Sequence, residues 1–123
     1  MVPSGVNLFF RAVNTAFYPV TGVLLFFRAK MAWKGFVALI IAVMFIKVLV
    51  RRRRPDGSDR LSFPSGHAAA TWFLVPVYDN NPLVALWASV VSASRVVLGR
   101  HYITDVVAGG ILGLVFGNSV FFR

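Results

Sequence analysis

The sequence has no cysteine, no glutamate, only four aspartates and only two histidines among 123 residues. Without cysteine there can be no disulfide and no thiolate metal site. Two histidines and four aspartates are a poor stock from which to assemble a multi-ligand metal cage. Met1 to Gly5 lacks the basic n-region and the small-residue cleavage site of a signal peptide. Long polar stretches are also scarce: Arg51 to Phe63 is the one strongly polar run, and the rest is a succession of apolar segments. The hydrophobic fraction is 58% and the mean hydropathy +0.74, against about 45–50% apolar residues in an ordinary soluble domain. Apolar runs of this length point to an all-α, polytopic membrane helical bundle built as one domain over residues 1–123.

What the chain does have is positive charge. Thirteen Lys and Arg against four acids give a formal net charge of +9. Such an excess suits anionic lipid headgroups, an anionic substrate or nucleic acid. The cations cluster at the ends of apolar segments, where a membrane interface would lie, and not on a separate soluble module. The expected partners are therefore the lipid bilayer and an anionic substrate, not nucleic acid.

Met1 to Asn14 is mixed and reads either as a short interfacial segment over residues 1–11 or as the early part of the first helix, whose apolar stretch runs over about Ala12 to Phe27 and which Pro19 is expected to kink. Arg28, Lys30, Trp33 and Lys34 supply basic and aromatic anchors for an interfacial turn. Gly35 to Val50 is the clearest spanning segment, with Lys47 as its only charge. Pro55, Gly57 and Pro64 break the polar stretch into a surface loop. A third helix is expected from about Ser65 to Tyr78, and Asp79-Asn80-Asn81-Pro82 reads as a tight turn. A fourth helix over about Pro82 to Leu98 and a fifth over about Ile103 to Phe122 flank a short break at Gly99 and Arg100. Gly109, Gly113 and Gly117 recur every four residues, as do Ala85, Ser89 and Ala93, spacings that let membrane helices approach closely. Five helices place the N-terminus, the Arg51–Phe63 loop and the Gly99–Tyr102 break on one membrane face.

The polar residues with chemical potential converge on that face. Lys47 and Arg95 are charges within apolar helices, which is costly and by default suggests function; the plainer reading of Lys47 alone, and the weaker one, is a side chain snorkelling to the interface. Pro64-Ser65-Gly66-His67 reads as a helix start, where a Ser cap and free backbone N–H groups favour an anion. Alone it is an ordinary cap. His101 and Asp105 stand four apart, and a carboxylate accepting from one imidazole nitrogen frees the other to act. Alone, Asp105 would be an acid favouring a helix N-terminus. Arg51, Arg52, Arg53 and Arg60 read most simply as a solvated basic loop.

The full pattern is more specific than its parts: Lys47, six residues, Arg54-Pro55; then Pro64-Ser65-Gly66-His67; then Ser94-Arg95, five residues, His101, three residues, Asp105. It resembles the type-2 phosphatidic acid phosphatase superfamily, the lipid phosphate phosphatases related to vanadium haloperoxidases. The resemblance covers about Asn14 to Gly117 with no mismatched motif position. It implies that Lys47, Arg54 and Arg95 bind phosphoryl oxygens, with Ser65 and the Gly66 N–H adding hydrogen bonds. It implies that His101 attacks phosphorus, that Asp105 orients His101, and that His67 protonates the leaving group. Many membrane members have six helices, one more before the segment starting at Ala12.

The function this implies is a metal-independent integral-membrane phosphatase, acting on a lipid phosphate or prenyl diphosphate through a phosphohistidine, with the three cations in place of a divalent metal and no cofactor implied. The alternatives are a phosphotransferase using the same intermediate and a non-catalytic protein that binds anionic lipids. The resemblance favours the cell membrane with an extracytoplasmic site, whereas Arg51 to Arg54 by the positive-inside rule favour the cytoplasmic face. A monomer and a homo-oligomer are both compatible with the sequence.

Overall fold

The computed structural model describes residues 4–119. They form five helices: α1 (Ser4–Phe27), α2 (Ala29–Val50), α3 (Gly66–Val77), α4 (Pro82–Val97) and α5 (Ile103–Asn118), with no strand among the described residues. At about 1.5 Å per residue α1 and α2 exceed the ~30 Å hydrocarbon core of a bilayer, and both are long and apolar enough to cross a membrane. The outer face of α2 exposes Val37, Ile41, Met44, Phe45 and Val48, an apolar surface of the kind that lipid covers.

The shortest helix is the centre. In α3, Ala68, Ala69, Thr71, Phe73, Leu74, Val75, Pro76 and Val77 are all buried, and every other helix packs against it. Its main partner is α5, and the glycine spacing explains why. A Cβ added at Gly109, Gly113 or Gly117 would run into the carbonyl oxygen of Ser65, Ala69 or Phe73, respectively. Three glycines on one face of α5 thus lie directly on the backbone of α3, a helix contact that no larger residue would permit. Leu39 and Val43 of α2 join Phe73, Leu74 and Val77 of α3 and Ala88 of α4 in the main core. A smaller cluster sets Val13 and Phe17 of α1 against Val91 of α4.

The ends are set by local chemistry. Ser65 caps α3, its side chain accepting from the Ala68 N–H at 3.2 Å. Asn81 caps α4 by accepting from the Leu83 N–H at 2.8 Å, with Pro82 in the first turn. Arg51 closes α2 in the left-handed conformation at φ 52°, its N–H donating to the Lys47 carbonyl at 3.0 Å. At the other end of the bundle the Tyr78 hydroxyl donates to the Leu24 carbonyl at 2.6 Å, and the Arg28 guanidinium lies 4.7 Å from the Tyr78 ring centre.

Several expectations need correction. Of the two readings open for the start of the chain, the helical one holds: α1 starts at Ser4, so residues 4–11 are the early part of the first helix and form no separate interfacial segment; residues 1–3 lie outside the described set. The break between α1 and α2 is Arg28 alone, and Lys30, Trp33 and Lys34 are helical. The stripe Ala85, Ser89 and Ala93 does not make a close helix contact, because Ser89 and Ala93 are exposed. The expected end of the fifth helix at Phe122 lies outside the described residues.

Gly113→Ala should destabilise the protein by about 1–3 kcal/mol, because a Cβ there meets the backbone of Ala69 and Phe73. Gly22→Ala has nothing within 4 Å and should be neutral or stabilising by a few tenths of a kcal/mol. Thermal unfolding in detergent compares the two; equal effects would contradict the glycine contact.

Candidate active site

The glycine contact brings the start of α5 beside the start of α3. The Ser65 N–H donates to the Asp105 carbonyl at 3.0 Å, and Asp105, Ser65 and Ser62 are fully buried. Between α4 and α5 the chain turns at Gly99, φ 71°, which delivers His101 into this buried corner with 2% of its surface exposed.

The hydrogen bonds of His101 fix its tautomer. Nδ1 lies 2.8 Å from the Ser62 carbonyl, which can only accept, so Nδ1 carries the proton. Nε2 lies 3.1 Å from Nη1 of Arg54, which can only donate, so Nε2 presents its lone pair. Burial, and then the positive charges of Arg95, Arg54 and Lys47, lower the His101 pKa to about 4, opposed by the bond to Ser62. The imidazole is therefore neutral at pH 7, with its unprotonated nitrogen facing a cation.

Asp105 does not accept directly from His101, in contrast to the sequence expectation. Its Oδ2 stands 3.6 Å from Nδ1, beyond hydrogen-bond distance. The same oxygen accepts from the Ser62 hydroxyl and from the Tyr102 N–H at 2.8 Å, while Oδ1 accepts from Arg52 at 3.1 Å. The carboxylate thus grips the residue whose carbonyl holds the histidine. Arg52 also donates to Thr104 at 2.6 Å and lies 4.2 Å from the Tyr102 ring centre. The reading of Arg52 as part of a solvated loop is corrected by these contacts. Ser62 and Arg52 were missed because neither falls in a recognised spacing. The signal that remained was their position, two residues before Pro64 and two before Arg54.

The three cations singled out in the sequence surround the same corner, each with a partner. Lys47 donates to the Leu61 and Pro64 carbonyls at 2.6 and 2.5 Å. Arg54 donates to Asp59 at 2.8 Å and to the Arg100 carbonyl at 3.2 Å, besides meeting His101. The Leu61 N–H, and then Arg54, hold Asp59 below the usual carboxylate range. Arg95 is 5% exposed; its Nη1 donates to Asn14 of α1 at 2.6 Å, and its buried Nε has no partner. His67 stacks on Phe17 with ring centres 3.9 Å apart and meets the edge of Tyr18 at 5.7 Å. Gly66 opens α3 beside it. Asn14, Phe17 and Tyr18 come from a helix whose sequence carries no motif, which is why they escaped notice. Among the described residues no three His, Asp or Glu side chains are grouped so as to hold a metal ion.

Two cavities reach His67. One, of about 400 Å³, is apolar and runs between α1, α2 and α3 past Leu25, Phe36, Leu39 and Val43 to Lys47, Gly66 and His67. The other, of about 380 Å³, is polar and lies between α1 and the end of α4. Chemically the corner offers a neutral imidazole with a free nitrogen, a second imidazole, three cations and helix-start N–H groups, a set suited to an anion that reacts at its centre.

The PAP2 superfamily model matches residues 31–122. The decaprenylphosphoryl-5-phosphoribose phosphatase of Mycobacterium tuberculosis is 40% identical over 98 residues, covering 70% of this chain and 55% of that protein. The chain thus spans about half the length of that relative. The transmembrane PAP2-type phosphatidylglycerolphosphate phosphatase of Bacillus subtilis has a similar fold, with TM-score 0.77, 22% identity, and coverage of 98% of this chain and 77% of that one. Aquifex aeolicus LpxE is similar at TM-score 0.72 and 19% identity, over 99% of this chain and 88% of that one. With the family model covering most of its length, this membrane-protein chain belongs to the PAP2 superfamily.

Proposed function

We propose that the chain is an integral-membrane phosphatase that hydrolyses a phosphate carried by a lipid, through a phosphohistidine on His101 and without a metal. The observation that carries this reading is the His101 tautomer: Nδ1–H held by Ser62 and the Nε2 lone pair turned toward Arg54. A phosphoryl group seated between Arg54, Lys47 and Arg95 would lie within reach of that nitrogen. These cations and the Gly66 N–H would share the charge that spreads over the equatorial oxygens in the transition state. Ser65, with its oxygen already accepting from Ala68, would donate its hydroxyl proton.

In the first step Nε2 bonds to phosphorus, the bond to the lipid oxygen breaks, and protonated His67 gives its proton to that oxygen. In the second, water bonds to phosphorus, neutral His67 takes a proton from it, and the N–P bond breaks. The sum is lipid phosphate plus water to lipid alcohol plus phosphate. The imidazole becomes cationic while it carries the phosphoryl group, and Asp105 at 3.6 Å from Nδ1 offsets that charge.

The apolar cavity supports a lipid substrate, since it would accept part of a tail while Lys47 and His67 meet the headgroup. The names of the mycobacterial and Bacillus relatives, which both describe a phosphate on a lipid, point the same way. We place the protein in the cell membrane with this site on the extracytoplasmic face, and labelling of an Arg60→Cys variant from outside intact cells tests that side.

Purified protein should release phosphate from a lipid phosphate in EDTA and be inhibited by vanadate, which mimics five-coordinate phosphorus. His101→Ala should lower turnover by about a thousandfold or more; unchanged turnover would refute the reading. Ser62→Ala, which releases the carboxylate's hold on the loop, should lower kcat by about 10–100-fold with KM little changed, and Ser62→Thr should restore most of it. Because the His101 pKa is lowered to about 4, Nε2 is blocked by a proton below that pH. The value of kcat/KM should therefore rise through about pH 4 and fall again where the acid loses its proton. A flat profile from about pH 3 to 9 would contradict two-histidine chemistry.

A further inference from the structure

Arg95 differs from the other cations of the site in what holds it. The aspartates on this face are each paired with another arginine: Asp105 with Arg52, Asp59 with Arg54 and Asp56 with Arg100. Lys47 holds two carbonyls. The Arg95 guanidinium, though 5% exposed, has one hydrogen-bond partner among the described residues, Oδ1 of Asn14 at 2.6 Å from Nη1. Its buried Nε has none. A guanidinium can grip an oxyanion through two parallel N–H bonds. With Nη1 taken by Asn14, the edge formed by Nε and Nη2 is the one left for that grip. The Arg95 carbonyl also accepts from the His101 N–H at 3.1 Å, so the backbone of His101 is tied to the same residue.

Asn14 is placed to hold this fork still. Inside a helix the backbone groups bond one another, so only a side chain of α1 can offer an acceptor to α4. Its neighbours Val13 and Phe17 pack on Val91, one turn before Arg95, and Phe17 stacks on His67. These contacts set α1 against α4 at the level of Asn14. Asn14 lies outside residues 31–122, which the family model matches. The chemistry of the acceptor matters as much as its place. An amide oxygen fixes a guanidinium and leaves its charge intact. A carboxylate would hold it more tightly and cancel the charge, competing with any incoming anion.

We propose that Asn14 is a positioning residue: its neutral amide fixes one arm of Arg95, so that the remaining edge, still fully charged, receives two oxygens of the phosphoryl group. This deepens the phosphatase reading and rests on it, but anion binding tests it without turnover.

The test is binding of orthovanadate to the full chain in detergent, by calorimetry, beside thermal unfolding of the same variants. Asn14→Leu removes the acceptor at similar size; it should lower the melting temperature and weaken vanadate binding by about 3–10-fold. Asn14→Asp should be at least as stable as the wild type, yet bind vanadate about thirtyfold or more weakly. Affinity then runs against stability. A merely structural role for Asn14 predicts that affinity follows stability, with the aspartate variant equal to the wild type. Arg60→Gln lowers the net charge by the same unit at an exposed loop position and should change affinity by less than about twofold. The proposal is overturned if Asn14→Asp binds as tightly as the wild type, if Asn14→Leu binds as tightly as the wild type or more weakly than Asn14→Asp, or if Arg60→Gln weakens binding as much as Asn14→Asp. The expected order of affinities without hydrolysis of any lipid phosphate upholds the role of Asn14 and counts against the phosphatase reading. Hydrolysis with affinities that follow stability does the reverse, and a wild type that neither binds vanadate nor hydrolyses a lipid phosphate counts against both.

Discussion

The contact on which the site depends is backbone against backbone: Gly109 of α5 lying on the carbonyl of Ser65. It is the end of a ladder that Gly113 and Gly117 continue down α3. At that end the Ser65 N–H reaches the Asp105 carbonyl at 3.0 Å. Two helix starts are thereby held side by side, one bearing Gly66 and His67, the other Asp105 with His101 just before it. A side chain at Gly109 would part them, and with them the two histidines. In a membrane, where apolar contact between helices has little advantage over contact with lipid, such close packing is a main source of association.

The cations around His101 are stabilised before any substrate arrives. Lys47 holds two carbonyls, Arg54 holds Asp59 and the imidazole, and Arg95 holds Asn14. A buried, unpaired cation would be costly, and these stand-in partners reduce that cost. An anion that displaces them exchanges one set of charge-assisted hydrogen bonds for another, so the net gain in binding is smaller than the number of cations suggests. The preorganisation remains, and it is what a transition state with spreading charge can use.

Much of this was legible in the sequence. The apolar runs gave five helices, and the spacing of Gly109, Gly113 and Gly117 announced the close contact. Yet Ala85, Ser89 and Ala93 show the same spacing without forming such a contact: Ala85 packs on the core while Ser89 and Ala93 are exposed, because small residues permit an approach without requiring one. The motif residues all reach one corner, since each lies at a helix end or in a loop joining two such ends, and five helices bring those ends together. The hand of Asp105 was misread. The i, i+4 spacing suggests a direct bond to His101, but His101 lies outside α5, and the non-helical turn before Tyr102 swings its Nδ1 to the Ser62 carbonyl. Asn14, Phe17 and Tyr18 were invisible because α1 reads as one more apolar helix, and only packing against α3 and α4 reveals which of its faces meets the site.

The central claim is that His101 acts through Nε2 while Ser62 holds Nδ1. Rapid acid or base quenching during turnover of a phosphorus-labelled lipid phosphate, followed by peptide mass spectrometry and phosphorus NMR, locates the phosphoryl group directly. The account predicts phosphate on His101 bonded at Nε2. Phosphate on Nδ1, on His67, or on no residue during steady turnover would contradict it.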